Sequence, residues 1–261
     1  MVRPASSSGI TQSKLPVAVY LYGGSHVGSG ANDPRYNMSA LIAHATKNGL
    51  PFLGVTLNYR SGPWGLIAGR EVQGTRNSNI GLHDQRLALH WVQENIEGFG
   101  GDPRRVTLWG ASSGAEDVGL HLTAYDGRED GLFGAAILQS GGPVTPTGIR
   151  WTPADDLYHQ LIETTSCRSA EDSLSCLRTL DVDVLDAAFN SSVGMFMSLP
   201  AMDGDFVRGY GSISLKMRRV VKVPILSMTV TNEGASYIPA DMHTLDDLRR
   251  HLIGMKMLSI P

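Results

Sequence analysis

A chain of 261 residues, 42% hydrophobic and 18% charged, is long enough for one large domain that buries about 70–75% of its unfolded surface. That composition excludes intrinsic disorder, a collagen-like repeat and a small disulfide scaffold. Against 25 Asp and Glu stand 22 Lys and Arg, so the formal charge of −3 supplies no positive field for nucleic acid or an anionic membrane. No apolar run nears the ~20 residues of a membrane helix. The opening Met1-Val2-Arg3-Pro4-Ala5-Ser6-Ser7-Ser8 lacks the apolar core of a secretory signal.

In chain order, the first predicted strand is Leu15 to Leu21, which ends in Tyr22-Gly23-Gly24-Ser25-His26. A helix follows over Met38 to Lys47, with Met38, Leu41, Ile42 and Ala45 as its inward stripe. Phe52 to Leu57 is the second strand. The helix Asp84 to Ile96 has Leu87, Leu89, Trp91, Val92 and Ile96 as the expected buried stripe, with Asp84 to Arg86 as a structural charge cluster. Val106 to Trp109, Ala135 to Gln139 and Val223 to Val230 complete the strands, and Ala115 to Thr123 is a helical run. The strands are nearly continuous in apolar character, which predicts burial on both faces in a parallel sheet. Strand, crossover and strand in this order predict an α/β fold with a mostly parallel, doubly wound sheet. Residues 151–217, beginning at Trp151, read as a helical cap or insertion within one domain, with amphipathic pieces at Asp155 to Thr165 and Asp181 to Phe189.

Gly110-Ala111-Ser112-Ser113-Gly114 is a G-x-S-x-G run directly between a strand and a helix. A sharp turn there strains the central residue, requires glycines where neighbouring chains pack, and exposes Ser112 at a positive helix end, suited to attack a carbonyl. The plain alternative is a glycine-rich turn; the flanking strand and helix favour a nucleophile. Tyr22 to His26 lets backbone N–H groups line a cavity, and with the Ser113 N–H it can hold the oxyanion of a tetrahedral intermediate. A phosphate-binding loop is the competing reading, but no Gly-Lys-Ser/Thr arrangement follows. Glu233, at the end of an apolar strand, suits a carboxylate that orients an imidazole; the alternative is a solvated turn carboxylate. Cys167 and Cys176 are either two buried thiols or a local disulfide, whose loop of about ten residues would contribute roughly 2.5–3 kcal/mol. The sequons at Asn37-Met38-Ser39 and Asn190-Ser191-Ser192 agree with secretion and carry little weight.

Asn58-Tyr59-Arg60, the block NIGLHDQRLALHWVQENIEGFGGDPRRVTLWGASSG from Asn79 to Gly114, Ile137 to Gly141, the Cys167 to Cys176 loop and Thr231-Asn232-Glu233-Gly234 together resemble the type-B carboxylesterase and cholinesterase family, with fungal secreted esterases and lipases nearest. The resemblance runs from about Leu15 to about Tyr237. It implies an α/β-hydrolase fold and hydrolysis of a small-molecule or lipid carboxylic ester through an acyl-enzyme, with no metal or organic cofactor. Carried over by motif, Ser112 is the nucleophile and Glu233 the triad acid. Gly24, Ser25 and Ser113 are the oxyanion donors, Ser140 supports the acid, and Cys167 and Cys176 form a disulfide of a secreted family. Three positions depart from the pattern: Ser25 stands for a third glycine, Ala111 for a glutamate before the nucleophile, and His26 for an aromatic residue. The family's triad histidine lies well beyond the acid, whereas only His243 and His251 follow Glu233, flanking a polar helix with Thr244 as its expected cap. The match covers roughly the middle half of a family member, so the chain is expected to be truncated at both ends and of doubtful activity alone. A non-catalytic binding module is the second reading, disfavoured by the retained Ser112.

Overall fold

The strand β1 (Leu15–Leu21) lies between two parallel neighbours, β2 (Leu53–Thr56) and β3 (Gly101–Ala111). In the computed structural model, which describes residues 1–4, 14–144, 155–191, 198–236, 239 and 242–254, these strands join β4 (Ala135–Gln139) and β5 (Ile225–Met228) in a five-stranded parallel sheet ordered β2-β1-β3-β4-β5. Trp151, Ser192 and the residues Ala5 to Ser8 lie outside the described residues. Val19 sits opposite both Val55 and Leu108, and Leu108 opposite Ala136. The chain leaves β1 outward to β2 and returns on the other side of β1 to β3. That reversal makes a crevice beyond the C-terminal ends of β1 and β3, the usual position of a site in an open α/β sheet.

Period-two alternation assigns the two faces. Val17, Val19, Leu21, Val106 and Leu108 form one core with α2 (Ile80–Asn95) and α3 (Ser113–Gly127), through Leu89, Val92, Ile96, Ala115, Val118 and Leu122. On the other face Tyr20 and Trp109 pack with Met38 and Ile42, at the start of and within α1 (Ser39–Lys47). Helices on both faces make the sheet doubly wound, as the strand–crossover pattern requires.

Three residues of the expected helical stripes face outward. Leu41 on α1 and Leu87 and Trp91 on α2 are exposed, whereas Ile42, Leu89, Val92 and Ile96 are buried. The helical period explains the difference: at about 100° per residue, Leu87 and Trp91 each stand roughly 160–200° from Leu89. Trp91 instead meets Phe99 at 5.8 Å on the outer surface. Burial of the last strand also departs from expectation. Every residue of β5 is exposed on both faces, and among the described strands it pairs with β4 alone, at the border of the sheet. The Asp84 to Arg86 cluster is structural: Arg60 grips Asp84 with Nε and Nη2 at 2.8 and 2.6 Å, and Arg86 pairs with Asp130.

After β4 the described excursion is helical, comprising α4 (Asp155–Glu163), α5 (Ser173–Leu177), α6 (Val182–Phe189) and α7 (Gly211–Lys216). Tyr158, Leu161, Ile162, Leu174, Leu177 and Phe189 give it an apolar core shared with Ile67 and Val72. A disulfide joins Cys167 to Cys176 across this core, with Cα atoms 5.6 Å apart. Polar ties fasten the excursion, among them Asp155, which accepts from the Arg70 backbone N–H at 2.8 Å, and the Asn79 amide, which exchanges bonds of 2.7 and 2.8 Å with the Ala201 backbone.

The chain divides into two compact units, Met1–Met228 and Thr229–Pro261. In the second, a turn of 3-10 helix (Glu233–Ser236) precedes α8 (Leu245–Gly254). Thr244 caps α8 as its sequence predicts: its Oγ1 accepts from the Asp247 N–H at 3.1 Å, and Asp247 accepts in return from the Thr244 N–H at 2.9 Å.

The two faces of α2 are separated by urea denaturation. Leu89→Ala, at a position 0% exposed, is expected to lower unfolding free energy by about 2–5 kcal/mol, and Leu87→Ala, 69% exposed, to change it by no more than about 0.5 kcal/mol. Replacing Cys167 and Cys176 together by Ala is expected to lower the stability of the excursion by roughly 2.5–3 kcal/mol in the same assay, from the freed loop entropy.

Candidate active site

The end of β3 turns into α3 through a single strained residue. Ser112 has φ 54° and ψ −130°, a conformation that costs a non-glycine residue about 1–3 kcal/mol and persists only where its surroundings over-determine it. They do so here. The Ser112 N–H donates to the Gln139 carbonyl on β4 at 2.8 Å, and the Ser112 carbonyl accepts from Ala115 and Glu116 in the first turn of α3 at 2.8 and 3.1 Å. A Cβ on Gly110 would lie 2.2 Å from the Gly114 carbonyl oxygen, and one on Gly114 would lie 2.2 Å from that of Leu21. Both glycines of the motif are therefore demanded by close backbone approach, as the sequence predicts. Ser112 itself is exposed, at the N-terminus of a helix whose first N–H groups and dipole favour negative charge.

The loop after β1 is packed onto this turn. Gly23 touches the serine: a Cβ there would stand 2.9 Å from Ser112 Cβ and 2.5 Å from the Ala111 carbonyl oxygen. Gly24, Ser25 and His26 follow with φ of 129°, 55° and 60°, an unbroken run in the left-handed half of conformational space. Tyr59 of the Asn58-Tyr59-Arg60 motif secures the base of the loop. Its ring stacks on Tyr22 at 4.4 Å, and its hydroxyl donates to the Tyr22 carbonyl at 2.6 Å. Burial first, and the nearby Asp117 charge next, hold the Tyr59 hydroxyl far above the usual phenol range, so it stays a donor.

Gly24, Ser25, Ser112 and Ser113 are thus gathered at the ends of β1 and β3. Ser140 is adjacent, at the end of β4, with φ 55° and its N–H donating to the Met228 carbonyl at 2.9 Å. Cys167 and Cys176 lie apart from this group, in the excursion. Glu233 belongs to the Thr229–Pro261 unit, where its Oε1 accepts from the Val230 N–H at 2.9 Å.

Sequence reasoning missed a buried polar chain beneath the loop. The His26 Nε2 meets Asp117 Oδ1 at 2.9 Å, Asp117 Oδ2 accepts from Gln85 Nε2 at 2.6 Å, and Gln85 Oε1 meets His121 Nε2 at 2.9 Å. All four residues are buried. The signal was present as polar residues on otherwise apolar helical faces: Asp117 and His121 are four apart on α3, and Gln85 lies four before the core residue Leu89 on α2. Burial, with Arg86 and His83 adding to it, pushes the His121 imidazole down to about 3, so it is neutral and donates through Nε2. Burial also opposes charge on His26, but the Asp117 carboxylate, and Glu116 beyond it, raise its pKa above the ordinary histidine value.

Comparison with known proteins agrees with this geometry. Residues 3–257 match the model of the carboxylesterase family. The chain is 33% identical over 244 residues to Lipase 2 of Diutina rugosa, an alignment covering 89% of this chain and 44% of that protein. It is 33% identical over 247 residues to the secreted triacylglycerol lipase LIP1 of Gibberella zeae, covering 90% and 41% respectively. Its fold superposes on the crystal structure of Aspergillus niger EstA with a TM-score of 0.75 at 31% identity, over 92% of this chain and 46% of the other. The chain spans about half the length of the curated relatives it matches. A parallel doubly wound sheet with a serine elbow between β3 and α3, together with these matches, makes this chain an α/β-hydrolase that belongs to the carboxylesterase family.

Proposed function

We propose that this chain carries the nucleophile and oxyanion hole of a serine hydrolase acting on carboxylic esters. The single observation that bears most on this reading is the strained, exposed Ser112 at the helix N-terminus with the Gly23–His26 loop packed directly on it. In the reaction, Ser112 Oγ adds to the ester carbonyl carbon, and the carbonyl oxygen becomes an oxyanion received by the backbone N–H groups of Gly24, Ser25 and Ser113. Each such donor is worth around 3 kcal/mol in the transition state. Collapse expels the alcohol and leaves an acyl-Ser112 ester, which water then cleaves. By the motif match, Glu233 takes the role of the acid of the triad and Ser140 that of an acid-supporting serine.

The excursion after β4, helical in its described residues, acts as a cap that contributes to the acyl and alcohol pockets. The substrate is a small-molecule or lipid ester, a class suggested by the lipase names of the relatives. The Cys167–Cys176 disulfide and the relative named as secreted favour an oxidising, extracellular setting.

The mechanism requires an imidazole to take the Ser112 proton. Within the described residues of Met1–Met228, no histidine shares a hydrogen bond with Ser112, and His26 is committed to Asp117 through Nε2 while its Nδ1 has no hydrogen-bond partner. His243 and His251 lie beside and within the polar helix α8. Loss of the base in such a triad costs about 10⁶-fold in turnover. The 261-residue chain is therefore expected to hydrolyse p-nitrophenyl butyrate no faster than its Ser112→Ala variant. Added imidazole should open a rate difference of about tenfold or more in favour of wild type, a fraction of the 10²–10⁴ that general-base catalysis supplies. Equal rates with and without imidazole in folded protein would overturn the ester-hydrolase reading in favour of a binding module. A Ser112-dependent rate without imidazole would locate a base inside this chain.

A further inference from the structure

His26 is attached to its surroundings at three points. Its backbone N–H donates to Ser113 Oγ at 3.3 Å, its carbonyl accepts from the Gly62 N–H at 2.5 Å, and its Nε2 bonds Asp117 at 2.9 Å. The first and third of these reach α3, one at the residue after Ser112 and one a helical turn further on. Gly24 and Ser25, whose N–H groups the proposed oxyanion hole uses, precede His26 in the left-handed run Gly24–His26. Three consecutive positive φ values are unfavourable for Ser25 and His26, and such a loop holds its shape only if something else holds it. Nothing about an aromatic filler at position 26 would supply a directed bond to α3; an imidazole facing a buried carboxylate does.

From this geometry we infer that the buried His26–Asp117 pair is a clasp that fixes the loop Gly23–His26 against the start of α3, making His26 and Asp117 positioning residues for the site at Ser112. The inference rests on the oxyanion-hole reading for its catalytic meaning, while the clasp itself is a property of the loop. Gln85 contributes by occupying the second oxygen of Asp117, which leaves Oδ1 directed at the ring. The groups facing the His26 ring from α3 are Asp117 and Glu116, the latter with Oε2 3.9 Å from Nδ1. Past Asp117 come the neutral Gln85 and His121, and from the segment after β2 the Tyr59 hydroxyl senses the Asp117 charge.

The clasp is pH-dependent with a defined sign. Because the folded-state pKa of His26 is raised, its contribution is complete below the ordinary histidine value near 6.5 and is lost as pH rises through the raised value. Amide hydrogen exchange on the full 261-residue chain, followed by mass spectrometry and corrected for intrinsic rates, reads this directly. At pH 6, Asp117→Asn is expected to speed exchange in peptides spanning Tyr22–Gly28 several-fold, with β3 unchanged. As pH rises through the raised value, the wild type should lose the charge-dependent part of that protection and the gap between the two should narrow. Should Asp117→Asn fail to fold, His26→Phe combined with Asp117→Ala removes both charges at once, a substitution that buried pairs commonly tolerate. That double variant should show low, pH-independent loop protection over an intact core.

Equal loop protection in wild type and variants at pH 6 overturns the clasp. So does a loss spread equally through β3, which would make the pair a general support of the core. Labelling of Ser112 by a fluorophosphonate in the presence of added imidazole, measured by intact mass beside Ser112→Ala, tests the nucleophile reading separately. An unlabelled wild type overturns that reading while the exchange data still decide the clasp.

Discussion

The constraint on which the site depends is backbone against backbone, where the end of β1 meets the first turn of α3. Leu21 and Gly114 approach so nearly that a single added carbon would lie 2.2 Å from a carbonyl oxygen. Strand pairing sets that contact, since Leu21 and Gly110 are partners in the β1–β3 ladder. Once the ladder is formed, α3 must begin within one residue of the strand, and Ser112 takes the strain of the reversal. The 2-1-3 order around β1 then leaves the crevice at this spot open, with the glycine loop of β1 on one side and the end of β4 on the other. Site geometry here is a by-product of sheet register.

Much of this was legible in the amino-acid order, for reasons that are local. Leu15 to Leu21 and Ala135 to Gln139 match the observed strands residue for residue, because short apolar runs bounded by glycine or polar residues leave little freedom of boundary. Val106 to Trp109 was too short by comparison with Gly101–Ala111, since Asp102, Pro103, Arg104 and Arg105 do not look like a strand. They join it because Asp102 accepts from both arginines, Arg104 and Arg105, and the β1 pairing shifts register between Leu15 and Val17. The errors at Leu87 and Trp91 share one cause, hydrophobicity without the helical angle, whereas Leu41 keeps the i+3 spacing from Met38 and is exposed all the same. Such residues are ordinary on protein surfaces.

The elbow was legible because G-x-S-x-G is contiguous and its strand and helix flank it directly. The polar chain under the loop was not, because its members come from three separated segments: His26 from the loop, Gln85 from α2, and Asp117 with His121 from α3. Each residue alone reads as unremarkable, and only the packing of α2 and α3 on the same face of the sheet brings them within 3 Å of one another. Contiguous motifs survive in one dimension; constellations assembled by crossovers do not.

One aromatic residue gives the crevice an optical property of its own. The Trp109 indole N–H donates to the Gln139 side chain at 2.7 Å, while the backbone carbonyl of that same Gln139 holds the Ser112 N–H. Tyr20 packs edge-on against the indole with ring centroids 4.8 Å apart, and Tyr36 stands 5.4 Å from Tyr20. Ultraviolet excitation absorbed by these phenols therefore drains to a fluorophore three positions before the serine. Trp64 and Trp91 are both exposed. Among the tryptophans of the described residues Trp109 is the least exposed, and its emission is a native, label-free signal of whether the ends of β3 and β4 remain joined.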